Sequence, residues 1–389
     1  MIYAISHYAA AAAGSLESTR SVVALLGAVF VYIVCRLFAQ SGAPSIAQGQ
    51  ERSLGGKLVL ISGAFDSGIG FALLSRLAEQ RARVVALSDD PTRPRDQQLL
   101  HLARLASGND QLYIERVIAP DTFAADWERI GARRRGPIGE ALGRQTVDSL
   151  IVVLRGGIGQ DEATRAWALI EALESSLSTP APRTSDGIDP GAGAGLVRVL
   201  TVVPSPFYAA AARHGDARPT DDASLSLHFA AMSQAAQRRF DRRRAAKPTL
   251  NRLVYLAAAP GLTRSALARF LAPRPKRWLD LRWPRWLVIA PGAWLCGQDS
   301  SRAARGIDWA LRAPLQLIKD GALVQGVRPG ALYRDGKDVF LESIVDEARA
   351  DAALAAESKR ITDLEPAWTT KQKAHDDVKA ALKTAESSE

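Results

Sequence analysis

Between Leu58 and Asp90 the chain reads as an apolar run, a glycine-rich bend, an amphipathic stretch and a second apolar run closed by acid. Few folds accept that order. Leu58 to Ile61 is continuous and rich in branched residues, as a strand buried on both faces must be. Gly63, Gly68 and Gly70 punctuate the bend. Phe71, Leu74, Leu77 and Ala78 then recur at helical spacing, which predicts a helix with one buried face. Val84 to Leu87 makes a second strand. A strand-bend-helix-strand unit aims backbone N–H groups and the positive end of a helix at one spot, where a pyrophosphate fits. A side chain there would block the anion, hence the glycines. Asp89 follows the bend by ~20 residues, the spacing of an acid that accepts hydrogen bonds from a pair of ribose hydroxyls. A plainer reading leaves the glycines only a tight strand-to-helix turn.

The same alternation continues downstream. Residues 91–111 carry Leu99, Leu100, Leu102 and Leu105 at helical spacing, and Leu112 to Ile118 is a third strand. Phe123 to Leu142 holds a helical stretch interrupted by the loop Arg133 to Pro137. Val147 to Val153, Leu196 to Val203 and Asn251 to Ala258 are further strands, separated by helices over 161–177 and 223–244. Strands alternating with helices predict an α/β, Rossmann-type doubly wound parallel sheet, here over residues 57–345. Residues 178–195, with Pro180, Pro182 and Pro190 among several glycines, read as a flexible insertion. From about residue 346 to 389 the chain is rich in Ala, Lys, Glu and Asp, and its composition predicts a polar tail, helical or disordered.

Ahead of this domain, after the weakly polar segment 1–20, residues 21–38 are apolar apart from Arg36. At ~18 residues the run is just long enough to span a hydrocarbon core. The stretch before it is long and not strongly basic, which argues against a cleaved signal peptide, and it has no polar face, which argues against a buried core helix. The expectation is one N-terminal transmembrane helix joined to the domain by a tether over 39–56. Arg36, Arg52 and Lys57 follow the run and Arg20 precedes it, a bias that keeps the main domain in the cytosol. The two cysteines, Cys35 and Cys296, exclude a disulfide framework, and five scattered histidines give no metal-ligand cluster. Lys+Arg 50 against Asp+Glu 41 leaves +9 in 389 residues, an excess that a dinucleotide or a membrane surface satisfies without nucleic acid.

Ser62-Gly63 followed by Gly68-Ile69-Gly70 resembles the Thr-Gly-x-x-x-Gly-x-Gly fingerprint of the short-chain dehydrogenase/reductase superfamily. Here four residues, Ala64 to Ser67, separate the first two glycines where the family has three. Pro260-Gly261-Leu262-Thr263, after the strand ending near Ala258, resembles the family's Pro-Gly turn, which implies that Thr263 faces the nicotinamide carboxamide. The resemblance implies NAD or NADP held by Ser62, Gly63, Gly68, Ile69, Gly70, Asp89, Pro260, Gly261 and Thr263. The family's catalytic tyrosine, with a lysine four residues on, belongs by element order in Leu225 to Ala236, which holds neither. His228 is the titratable side chain there. Ser205 stands where the family has its substrate-orienting serine, with Tyr208 beside it. Tyr333 and Lys337 have the right spacing, but Asp335-Gly336 between them predicts a turn rather than a helix. The Asn-Asn-Ala-Gly turn after the fourth strand is replaced by Leu154-Arg155-Gly156-Gly157.

Trp278, Trp283, Trp286 and Trp294 lie among Arg274, Lys276, Arg277, Arg282 and Arg285. That composition suits a surface bedded in lipid headgroups, and equally a substrate lid with buried tryptophans and snorkelling arginines. Together these features predict a single-pass membrane protein, placed in the endoplasmic reticulum, that binds a dinucleotide and acts as an oxidoreductase on a hydrophobic or lipid-like carbonyl or alcohol. The alternative is a catalytically inactive binding or scaffold protein. A homo-oligomer is compatible with either. The chain also resembles a fungal group of membrane-anchored short-chain-dehydrogenase-like proteins, which implies no specific reaction.

Overall fold

The structure is a computed structural model that describes residues 27, 52–125, 147–178, 196–204, 222–260, 263, 299–315, 318–319, 322–323, 326–334, 337–339 and 345–386. The chain divides into two compact units, residues 42–261 with 300–389, and residues 1–41 with 262–299. Residues 21–38 and the Trp/Arg segment 274–294 lie outside the described residues apart from Gly27. Among the described residues no helix is long and apolar enough to cross a membrane.

Six parallel strands form the centre: β1 (Leu58–Ser62), β2 (Arg83–Ser88), β3 (Leu112–Arg116), β4 (Val147–Val153), β5 (Leu196–Val202) and β6 (Arg252–Ala259). Short strands follow as β7 (Ile318–Lys319), β8 (Ala322–Leu323), β9 (Leu332–Arg334) and β10 (Lys337–Asp338). The large sheet runs β10-β9-β6-β5-β4-β1-β2-β3, with β9 parallel to β6 and β10 antiparallel to β9. Read from β3 to β6, this is the 3-2-1-4-5-6 order of two mirrored halves, and the order reverses between β1 and β4. The six long strands fall on the stretches whose sequence predicts strands.

Among the described residues, six helices cover the sheet: α1 (Gly68–Glu79), α2 (Pro94–Ser107), α3 (Gln160–Ser178), α4 (Asp222–Ala246), α5 (Ser300–Arg312) and α6 (Glu347–Glu386). Alternate strand residues feed two apolar layers. Val59, Ile61, Val84 and Ala86 pack with α1, α2 and α5, whereas Leu58, Leu60, Val85 and Leu87 pack with α3 and α4. Trp167 of α3 is fully buried edge-on to Phe229 of α4, with ring centroids 5.9 Å apart. Glu174 of α3 accepts from Arg239 at 2.9 Å, from the Tyr255 hydroxyl at 2.8 Å and from Arg243, which ties both helices to β6.

Two polar anchors hold the amino edge of the sheet, opposite the strand ends that matter below. Asp148 of β4 accepts the Leu58 amide at 3.0 Å and pairs with Arg52 at 3.3 Å and Lys57 at 3.4 Å. Arg198 in β5 has no carboxylate partner among the described residues. It donates instead to the carbonyls of Ala310 and Ala313 at the end of α5, and burial beside Arg52 lowers its pKa to about 9.

The segment after residue 346, which by composition reads as a polar tail, is a 40-residue helix, α6. It packs along α4 and α3. Ala350, Leu354 and Glu357 are buried, and Ile361, Leu364, Trp368, Gln372 and His375 are half-buried. These positions recur three or four residues apart, so they form one stripe down the helix. The stripe escapes a reading by composition because alanine, glutamate and histidine stand at several of its places.

Candidate functional site

The bend after β1 is built by close approach. Gly63 has φ +75°, and a Cβ there would lie 2.2 Å from the Val153 carbonyl oxygen at the end of β4. A Cβ on Gly70 would lie 2.3 Å from the Gly63 oxygen, so the first turn of α1 folds tightly over the bend. The surplus residue of the bend does not plug it. Ala64 and Phe65 turn into the apolar layer beneath α1, where Phe65 is 4% exposed, while Asp66 lines the cavity at the bend. Ser67 caps α1, its Oγ accepting the Gly70 amide at 3.0 Å. The amides of Gly68 and Ile69 have no acceptor among the described residues, which leaves the two outermost donors of the helix end pointing outward. A Cβ on Gly68 would meet only a rotatable hydroxyl, Ser300 Oγ, at 2.8 Å.

A cavity of about 430 Å³ opens at the carboxyl ends of β1, β2, β3 and β4. Ser62, Gly63 and Asp66 line it from the bend, with Leu87 of β2 and Val153 of β4. Asp89 and Arg93 line it after β2, Leu154, Arg155 and Ile158 after β4, and Asp161, Glu162, Arg165, Ala166 and Leu169 from α3. Trp368 and Lys371 of α6 complete it. The cavity therefore lies at the reversal of strand order, the place where open α/β sheets bind ligands.

Charge around the cavity is mixed. Asp89, just past β2, is 3.2 Å from Arg93. Arg155, in the place of the Asn-Asn-Ala-Gly turn, pairs with Glu162 at 2.8 Å. That hydrogen bond raises the Arg155 pKa, and Asp66 and Asp89 raise it further. Partial burial pushes the Asp66 carboxyl up; Arg155 opposes this, and Glu162 and Asp89 add to it. An anion entering the bend meets Asp66 as a repelling neighbour, with Arg155 behind it.

The sequence-derived residues separate into three groups. Ser62, Gly63 and Asp89 line the cavity, and Gly68, Ile69 and Gly70 shape the adjoining helix end. Pro260 is buried after β6 and Thr263 is buried at 2% exposure, while Gly261, Ser205 and Tyr208 lie outside the described residues. His228 does not line the cavity; its Nε2 lies 3.3 Å from Glu357 of α6. Burial would raise the Glu357 carboxyl, but hydrogen bonds from His228 and Thr164 outweigh it and leave its pKa lowered. Tyr333 and Lys337 fall on the two strands of a hairpin, with the Tyr333 hydroxyl accepting the Arg328 amide at 2.6 Å. Arg93, Arg165, Trp368 and Lys371 were not singled out from sequence. The last two had a signal, the helical stripe that carries Trp368.

The strand order, the glycine bend and the crevice between β1 and β4 define a Rossmann-type α/β protein. No protein-family model matches the chain, and no curated protein matches it. Among solved structures it is similar to a short-chain oxidoreductase of Pseudomonas aeruginosa described as containing an atypical catalytic centre. The two are 16% identical with a TM-score of 0.43, over 73% of this chain and 97% of that one. A short-chain dehydrogenase of Salmonella enterica serovar Typhi is 15% identical with a TM-score of 0.41, over 75% of this chain and 100% of that one. An NADH-dependent reductase complexed with NAD is 19% identical with a TM-score of 0.39, over 74% and 97% respectively.

Proposed function

We propose that this chain is a membrane-anchored oxidoreductase of the short-chain dehydrogenase type that holds NAD(H) or NADP(H) in the crevice between β1 and β4. The observation that carries the reading is the open bend. Gly68 and Ile69 present two unpaired amides at a helix N-terminus, beside a cavity at the point where strand order reverses. These groups suit a pyrophosphate, and Asp89 suits the ribose hydroxyls next to it. Asp89 disfavours a 2′-phosphate by charge, so NAD(H) is the better fit. When bound, the nicotinamide supplies or accepts a hydride. The chain's own part is to orient the cofactor and to move a proton at the substrate oxygen, a task that falls to Ser205 and Tyr208. Residues 21–38 fix the protein in the endoplasmic reticulum membrane with its main domain in the cytosol, Trp278, Trp283 and Trp286 bed into headgroups, and the substrate is a hydrophobic or lipid-like carbonyl or alcohol.

A second reading, a dinucleotide-binding module without turnover, is favoured by one specific observation. The described turns of α4 from Leu225 to Ala236 carry no phenol or ammonium, and His228 is committed to Glu357. Calorimetry of the full chain with NADH and NADPH, followed by turnover on long-chain ketones, separates the two. Binding with turnover supports the oxidoreductase, binding without it supports the module, and no binding sinks both. Resistance to carbonate extraction, lost when residues 1–38 are deleted, is the expected result for the anchor.

A further inference from the structure

Helix α6 does more than cover α3 and α4. Its inward stripe is fastened along its length: Glu357 to His228 at 3.3 Å, Ser358 to Glu171 at 3.1 Å, Arg360 to Asp161 at 3.0 Å, and His375 to Arg116 at the end of β3. Between the last two anchors, Trp368 and Lys371 reach the cavity. They sit three residues apart, so one helix face delivers both. Leu169, Val117 and Ile158 line the same cavity, as do the carboxylates of Asp89, Asp66, Asp161 and Glu162. The cavity of about 430 Å³ persists with the indole in place, so Trp368 is a wall of the space and not its filling. That volume is in the range of small-ligand pockets, ~300–1,000 Å³.

We infer that α6 forms part of the ligand site, with Trp368 stacking on a purine base and Lys371 meeting a phosphate. The occupant is an adenine nucleotide, whether free or as the adenosine half of a dinucleotide. This deepens the function proposed above and rests on it for the dinucleotide only. An indole offers a flat π-face to a base, and the aliphatic side chains that share the cavity supply apolar surface for it. A carboxylate set to accept from ribose hydroxyls lies alongside. The base, diol and phosphate of one nucleotide thus find their complements in one cavity, two of them from a helix near residue 370.

The test uses the full chain in detergent micelles with two probes, NADH and ADP. Loss of one base stack corresponds to roughly fivefold to a hundredfold weaker binding. Trp368→Ala is expected to weaken both probes by that factor, and Trp368→Phe to restore most of the loss. Lys371→Ala is expected to weaken both and to flatten their salt dependence, while Lys373→Ala, on the exposed side, leaves them unchanged. Hydrogen exchange across 366–378 is expected to slow when either probe binds, a readout that a merely structural tryptophan would not give. If wild type binds both probes and neither Trp368→Ala nor Lys371→Ala changes the affinity, the inference is overturned. ADP bound through Trp368 without any NADH binding keeps the inference and removes the proposed function. Failure of wild type to bind either probe removes both.

Discussion

Replacing Gly63 with alanine separates two reasons for a glycine in the bend, the needs of the chain itself and the needs of a ligand. At φ +75° a side chain forces a left-handed conformation, which costs about 1–2 kcal/mol. The new Cβ would also lie 2.2 Å from the Val153 oxygen, about 1.2 Å inside the 3.4 Å at which ordinary contact begins. That oxygen belongs to backbone in the middle of the sheet, so β1 must move away from β4, a strain of about 1–3 kcal/mol. The expected loss is therefore about 2–5 kcal/mol, or roughly 3–8 °C in the thermal midpoint of a domain this size. Gly68→Ala is the matched control. Its Cβ would displace only the Ser300 hydroxyl, and alanine is the better helix former by about 1 kcal/mol, so stability is expected to hold or rise slightly. If Gly68 serves a pyrophosphate, Gly68→Ala weakens dinucleotide binding with no thermal penalty. Circular dichroism melts of the two variants beside wild type give the answer. A Gly63→Ala midpoint equal to that of wild type would refute the reasoning, since the close approach to Val153 would then cost nothing.

Two further outcomes follow from charged groups. The Asp66 pKa is raised in the folded protein above the ordinary 3.8, so folding is penalised as pH climbs through the folded-state value and the penalty is absent below 3.8. Asp66→Asn is expected to raise the thermal midpoint at neutral pH but not in strong acid, and to tighten binding of an anionic ligand at the bend. An unchanged midpoint at pH 7 would count against it. Glu174→Ala leaves the buried Tyr255 hydroxyl without its acceptor and takes a carboxylate from the partly exposed Arg239, which keeps Glu171 at 3.4 Å, and from Arg243; the loss is expected to be about 1–3 kcal/mol in urea unfolding. A loss under 1 kcal/mol would mean that water reaches the network.

How much of this was legible in the sequence depends on the distance over which each feature is decided. β1, β2, β4, β5 and β6 read directly, because a strand buried on both faces is apolar along most of its length, with Asp148 and Arg198, the anchors of the amino edge, among the polar exceptions. The bend was legible as glycines but not as a geometry. Only the pairing of β1 with β4 shows that Gly63 answers to Val153, or that Phe65 has an apolar layer to enter. Asp89 was visible from spacing, yet its partner Arg93 is a local contact that spacing does not report. The α6 wall was hidden for another reason. Its residues are remote in sequence from the bend, and its inward stripe replaces large apolar side chains by Glu357, paired with His228, and by His375, set on Arg116. Composition counted those residues as solvent-facing. The fold makes them adhesive.

The two margins of the large sheet bear on how copies of this chain can meet. One margin is β10, two residues long and charged at both, Lys337 and Asp338. The other is β3, whose last two residues are Glu115 and Arg116, the latter engaged with α6. Neither offers the long, uncharged ladder along which sheets of separate molecules fuse. Among the described residues, self-association that keeps this sheet intact therefore has helical faces rather than sheet margins to run through, where contacts can be tight without inviting fibrous growth.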